Sequence, residues 1–183
     1  TINSVDVSKA EAMDGVLKIF TGQDIADAGI VGSIAGWQVD FKNGDTMKEP
    51  PHPIMVADKV RHVGDAVALV VAEDRFTAKD ASELVKVDYE VLDAVVDPKA
   101  ATEDGAPLVH DDVPNNTIYD FELGNKDETD AAFENADKVI ELSYHNQKLV
   151  PNAIEPRAAL AHYDANEEKY TLYTTSQNPH LAR

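Results

Sequence analysis

A chain of 183 residues carries 34 acidic against 16 basic side chains, a formal net charge of -18, and no cysteine. That length allows one domain or two small ones with a buried core. The charge disfavours nucleic-acid phosphates and anionic lipid as partners; the missing cysteine excludes disulfides, thiolate metal sites and a cysteine nucleophile.

The opening TINSVDV has no basic n-region, no apolar h-region and no initiator methionine, so it reads as neither a signal peptide nor a natural start, but as a strand entered midway. Apolar positions alternate over residues 5–7. Ser8 is placed to cap a short helix running through Met13, and Gly15 to end it. Residues 16–20 (VLKIF) predict a strand, and Thr21-Gly22-Gln23-Asp24 a variant capping box opening a helix to about Ala28. From 29 to 53, glycine, proline and polar residues predict a long surface excursion, extended by Pro50, Pro51 and Pro53 and anchored by Trp37. Short strands are expected at 54–57 and 60–63 around an Asp58-Lys59 turn. The run 66–72, AVALVVA, is apolar on both faces and reads as a central strand. It is also far shorter than the ~18 residues of a membrane-spanning helix. Asp74 is positioned to cap a helix over 75–86, whose Phe76, Ala78, Ala81, Leu84 and Val85 recur at helical spacing and should pack on that strand. Residues 87–91 alternate as a further strand.

Between 95 and 123, Pro98, Gly105, Pro107 and Pro114 interrupt acidic text with little periodicity, which marks a connector and a domain boundary. Beyond it the sequence predicts a helix at 127–134, a long strand at 138–149 and a hairpin of 157–163 with 170–175 around 164–168. The fold class is therefore α+β, with mixed strand directions.

Familiar catalytic signatures are absent: no dinucleotide fingerprint, no Walker loop, no G-x-S-x-G elbow. The six histidines show neither H-x-H nor H-E-x-x-H spacing, so they read as surface or core residues and no metal ligand is predicted. Asp111-Asp112 and Glu167-Glu168 read as solvated turn charges, and the glycosylation triplet at Asn115 as chance.

Four stretches carry more. DGVLKIFTGQD (14–24), HPIMVADKVRHVGDAVA (52–68), NQKLVPNAIEPR (146–157) and TSQNPH (175–180) occur in the order found in molybdenum hydroxylase large subunits, and the whole chain resembles the front part of that family, which includes xanthine dehydrogenase, aldehyde oxidase and aerobic carbon monoxide dehydrogenase. The resemblance implies an α/β-hammerhead domain over 1–96, a connector at 97–123, and over 124–183 the first strands of a molybdopterin-binding domain. Both domains would be truncated relative to the family's subunit. It implies that Gln177 matches the glutamine that points at the molybdenum and hydrogen-bonds one of its oxygen ligands. A neutral amide suits that place, because it donates without competing as a ligand or taking a proton. Glu155 and Arg157 would form a structural ion pair beneath the site, and Gly64 a tight backbone approach or bulge.

The family's glycine-rich cofactor loop, its substrate-facing residues and its general-base glutamate match nothing here, so no catalytic residue is assigned and the segment by itself is expected to be inactive. The implied cofactors are molybdenum-molybdopterin in the full-length protein, with iron-sulfur and FAD on partner subunits or domains. The implied activity is hydroxylation of a small-molecule aldehyde or N-heteroaromatic with water-derived oxygen, or oxidation of carbon monoxide, in the cytoplasm. The alternative reading, from another class, is a stand-alone, non-catalytic acidic module that binds a subunit or assists cofactor assembly.

Overall fold

The computed structural model describes residues 1–30, 32, 38–147, 149–177 and 179–180 and separates the chain into two units, Thr1–Glu122 and Leu123–Arg183. Trp37, the expected anchor of the long excursion, lies outside the described residues. In the first unit the elements run β1 (Ile2–Asp6), α1 (Ser8–Glu11), β2 (Val16–Thr21), α2 (Gly22–Asp27), β3 (Ala68–Ala72), α3 (Arg75–Ser82) and β4 (Lys86–Tyr89). β1 pairs with β4 and β2 with β3, each antiparallel, and each pair slips register once, between Ile2 and Ser4 and between Val16 and Lys18. Every strand pairing among the described residues is antiparallel, which corrects the expected mixture of directions.

Local chemistry accounts for the helix starts. Asp24 and Thr21 form the capping box: the Thr21 N–H donates to the Asp24 carboxylate at 2.7 Å, and the Thr21 hydroxyl accepts from the Asp24 N–H. Asp74 accepts from the N–H groups of Phe76 and Thr77 at 2.8 and 3.0 Å, closing two otherwise unpaired donors of α3. Ser8 is not a cap. Val7 holds that position, while the Asp6 carboxylate accepts from the Ser8 N–H at 3.0 Å. α3 stops at Ser82 rather than 86 because Lys86 is already paired with Asp6 in β4.

The core lies where α1 and α3 cover one face of β2–β3. Ala10, Ile19 and Ala81 are buried, ringed by Val7, Met13, Val16, Ala68, Val70 and Val85. Alanine on both helices lets their backbones approach the strands closely. Phe76, expected on the packing seam, is 72% exposed, so the seam runs through Ala81 and Val85 instead. β3 is not a central strand: among the described residues it has β2 on one edge only, and Leu69 on its outer face is 53% exposed.

Residues 54–57 and 60–63 form no strands. Met55 and Val56 are buried, but Val56 sends its N–H to Ala66 O at 2.8 Å and presses its carbonyl against Gly22, which leaves no ladder for a partner strand. Residues 97–122, although poor in regular structure, belong to the first unit. The Asn116 amide accepts from Val109 N at 2.8 Å and donates to Ala101 O and Pro107 O, both at 2.9 Å. Lys59 reaches Asp111 at 3.1 Å, and Lys42 pairs with Asp120 at 2.9 Å.

The second unit carries α4 (Lys126–Glu134), capped by the Asn125 side chain on Glu128 N, and a hairpin of β5 (Ala159–Asp164) with β6 (Lys169–Thr174). Asp164 Oδ1 accepts from Asn166 N and Glu167 N, and the Tyr163 and Tyr170 rings sit 4.5 Å apart across the strands. No strand forms over 138–147, because no described segment pairs with it. No described residue of this unit is buried. Among the described residues no helix is long and apolar enough to cross a membrane.

Candidate functional site

The hairpin of the second unit positions Gln177. β6 ends at Thr174, registered opposite Ala159, and the chain bends at Gln177 before turning through Pro179 and His180. Continued along that antiparallel register, Gln177 leaves the hairpin at the end where Glu155-Pro156-Arg157 enter it. There Asn152 adopts a positive φ of 48° and the chain bends at Ile154 and Glu155. Thr174 Oγ1 lies 3.4 Å from Ala158 O, tying the two strands where they part. Gln177 is exposed; its amide offers two N–H donors and one acceptor and does not ionise. Such a group fits an oxygen-rich cofactor as one contact. It does not make a pocket, since no described residue around it is buried.

Glu155 and Arg157 form no ion pair with each other among the described residues; both are exposed, where such a pair gains little over solvation. Gly64 is no close approach, because a Cβ there would meet open space; what matters is its φ of +109°. The close approaches are elsewhere: a Cβ on Gly22 would lie 2.0 Å from Val56 O, and one on Gly32 1.8 Å from His52 O.

The turn that Gly64 permits brings together a group that spacing arguments missed. Asp65 returns toward its own turn, and its Oδ2 accepts from Arg61 N at 2.7 Å and His62 N at 3.2 Å. Its Oδ1 faces His62 Nδ1 at 3.1 Å, with the His52 ring edge-on to His62, centroids 5.9 Å apart. Burial of the Asp65 carboxyl opposes its ionisation, but the two backbone N–H groups and the neighbouring His62 and His52 outweigh it and hold its pKa below the ordinary carboxylate value. The legible signal was His62-x-x-Asp65 across a glycine turn; His52, ten residues upstream, joins only through the fold.

Beside this turn the first unit has a groove of about 900 Å³ lined by Arg61, His62, Tyr89, Val91, Val96 and Leu108 among others. Arg61 braces it by donating from Nε to Val109 O and from Nη1 to Lys59 O. Burial, followed by the Arg61 charge, pushes the pKa of nearby His110 down.

Comparison with known proteins places these features. Residues 1–93 match the family model described as aldehyde oxidase and xanthine dehydrogenase, a/b hammerhead domain, and residues 109–183 match the molybdopterin cofactor-binding domain. The carbon monoxide dehydrogenase large chain of Afipia carboxidovorans is 32% identical over all of this chain and 23% of its own length. The nicotinate dehydrogenase large molybdopterin subunit of Eubacterium barkeri is 33% identical over all of this chain and 39% of its own. In three dimensions, carbon monoxide dehydrogenase from Oligotropha carboxidovorans superposes with a TM-score of 0.80 at 32% identity, covering 99% of this chain and 23% of that one. Quinoline 2-oxidoreductase from Pseudomonas putida 86 gives 0.77 at 28% identity, covering 96% and 21%. The chain thus spans about a quarter of the length of most of these relatives. With the hammerhead model matched across the first unit's strands and helices, and the cofactor-domain model across the hairpin and the Gln177 turn that follows it, the chain belongs to the aldehyde oxidase and xanthine dehydrogenase family of molybdopterin-binding oxidoreductase large subunits.

Proposed function

We propose that this chain supplies the hammerhead domain and the first edge of the cofactor site in the large subunit of a molybdenum hydroxylase. Residues 1–96 would be the hammerhead, 97–123 a connector folded against it, and 124 onward the start of the molybdopterin-binding domain. When bound, the molybdenum cofactor supplies two-electron oxidation of a C–H bond, or of carbon monoxide, with an oxygen atom taken from water. Gln177 holds that cofactor by donating an amide N–H to it, without adding charge and without exchanging a proton. No general base is assigned to this segment, so it orients the cofactor and does no chemistry alone. The substrate class is an N-heteroaromatic or aldehyde, or carbon monoxide, by analogy with the nicotinate, quinoline and carbon monoxide enzymes among the relatives. Electrons pass to iron-sulfur and FAD groups on partner subunits or domains, in the cytoplasm.

The observation that carries this reading is that Gln177 leaves the β5–β6 hairpin inside a matched cofactor-binding segment, exposed at the end where the Glu155-Pro156-Arg157 entry lies. The test is the full-length protein purified from its source, with its molybdenum content and mass measured, followed by Gln177→Ala. Near-stoichiometric molybdenum is expected, with turnover falling on the order of 10²–10³ in the variant, as for deletion of one preorganised donor elsewhere. A native chain without molybdenum, or a variant with unchanged turnover and unchanged molybdenum, overturns the assignment.

A further inference from the structure

The turn at His62 has a feature that cofactor binding at Gln177 does not use. We propose that His52, His62 and Asp65 form a divalent transition-metal site on the first unit, of the kind that takes Zn²⁺ or Co²⁺.

Each of the three residues offers one ligand atom, and the three atoms all lie within 4.8 Å of one another. In a tetrahedral site with metal bonds of about 2.0–2.1 Å, neighbouring ligand atoms stand roughly 3.3 Å apart. The His62 Nδ1 to Asp65 Oδ1 separation of 3.1 Å is already close to such an edge. Two imidazoles and one carboxylate make a borderline N₂O set, suited to zinc, cobalt, nickel and copper rather than to magnesium or calcium.

The carboxylate is oriented before any metal arrives. Arg61 N–H and His62 N–H both bind Oδ2, so Oδ1 is the atom left to face the imidazole, and the Asp65 side chain is only 8% exposed. This is the outer-sphere arrangement that fixes a ligating carboxylate in metal centres. On the other side, the His52 carbonyl packs so closely on Gly32 that a Cβ there would stand 1.8 Å from it, which fixes the backbone that carries the third ligand. Both imidazoles are solvent-exposed, so a cation can enter, and water would complete its shell. The net charge of -18 raises the local concentration of cations. A metal here would clip the proline-rich stretch at 50–53 to the Gly64 turn across a ten-residue loop, stabilising the folded state in proportion to the logarithm of metal concentration over Kd.

The experiment uses the full-length protein, stripped of loose metal by a chelator and titrated with Co²⁺ and then Zn²⁺ against a chromophoric competitor. The parent is expected to take up one tight equivalent and to show visible Co²⁺ absorption of a four- or five-coordinate centre. His52→Gln, His62→Gln and Asp65→Asn should each weaken that equivalent by at least ~100-fold, since even outer-sphere losses cost 10–100-fold, while His162→Gln on the hairpin leaves it intact. Zn²⁺ should raise the unfolding temperature of the parent and not that of His62→Gln, whose metal-free unfolding temperature serves as the check on folding. Binding of equal strength in parent and variants, or no cation held above the weak background of the acidic surface, overturns the site and leaves a 3.1 Å contact between His62 Nδ1 and Asp65 Oδ1 with a neighbouring imidazole.

Discussion

Gly22→Ala tests the crossing on which the first unit is assembled. A methyl at this position would lie 2.0 Å from Val56 O, 2.3 Å from its carbonyl carbon and 2.6 Å from Ala57 N. All three are backbone atoms, so no rotamer relieves the clash, and Gly22 does not have the positive φ that would add strain of its own. Reaching ordinary contact at 3.4 Å moves the 55–57 segment by 1.4 Å, the difference between the two distances. That displacement breaks the 2.8 Å bond from Val56 N to Ala66 O, a loss of about 0.5–1.5 kcal/mol. It also lifts Val56 and Met55, 3% and 5% exposed, out of cover; half-exposing one such side chain costs about 1 kcal/mol. Alanine's better helix propensity returns at most ~1 kcal/mol, and less at the first position of α2. The net destabilisation is about 1–3 kcal/mol, the range of overpacked cores. Hydrogen exchange of the full-length protein, followed by mass on peptides spanning 54–58, reads it directly: Val56 should exchange roughly 10–100 times faster at about 1.4 kcal/mol per decade. Parental exchange at Val56 with an unchanged unfolding temperature would refute the crossing as a constraint.

Two further outcomes follow from segment 97–122. Asn116→Ala removes three hydrogen bonds and leaves alanine at a φ of 52°, so local opening of 107–116 should become easier by about 3–4 kcal/mol, seen as faster limited proteolysis there; Asn116→Gly should recover the backbone share only, and parental proteolysis in both would refute the role. His110 has its folded pKa depressed, so the unfolded chain takes up its proton first: stability is full above about pH 6.5 and falls as pH drops toward the folded value. In His110→Gln the unfolding temperature should lose part of the parent's decline as the pH falls below about 6.5; an identical profile would remove His110 as a source of acid lability.

What the sequence made legible was mostly local. Thr21 with Asp24, Asp74 before α3 and the Asp164 turn are decided within three or four residues, and each forms as its side-chain chemistry requires. The hairpin of β5 and β6 and the apolar spacing through Ala81 and Val85 likewise follow from short-range periodicity. Strand status over 54–57 and 138–147 was not legible, because a strand exists only where a partner edge is presented, and one stretch crosses Gly22 while the other meets none among the described residues. Residues 97–122 read as a spacer because their cohesion comes from the Asn116 amide and from lysines bridging to distant acids, contacts with no periodicity. In the candidate site, the expectation for Gln177 rests only on the motif around it. His52 and Asp65 escaped notice because their meeting depends on the Gly64 φ and on the Gly32 contact, neither of which spacing rules encode.

The hairpin that carries Gln177 also sets the conditions under which its amide can act. On one face Leu160 stands opposite Tyr173; on the other Leu172 stands opposite Ala161, with Tyr163 and Tyr170 beside them. Large apolar side chains thus project from both faces, the pattern of strands meant to be covered on both sides, yet all of these are exposed. An isolated two-stranded hairpin is marginal in water, and a side chain on its open end is not held to the roughly 0.5 Å that a productive contact requires. The cofactor contact proposed for Gln177 would therefore require both faces of β5–β6 to be covered. On the proposed function, the loss of turnover expected in Gln177→Ala would belong to the full-length protein with that hairpin covered.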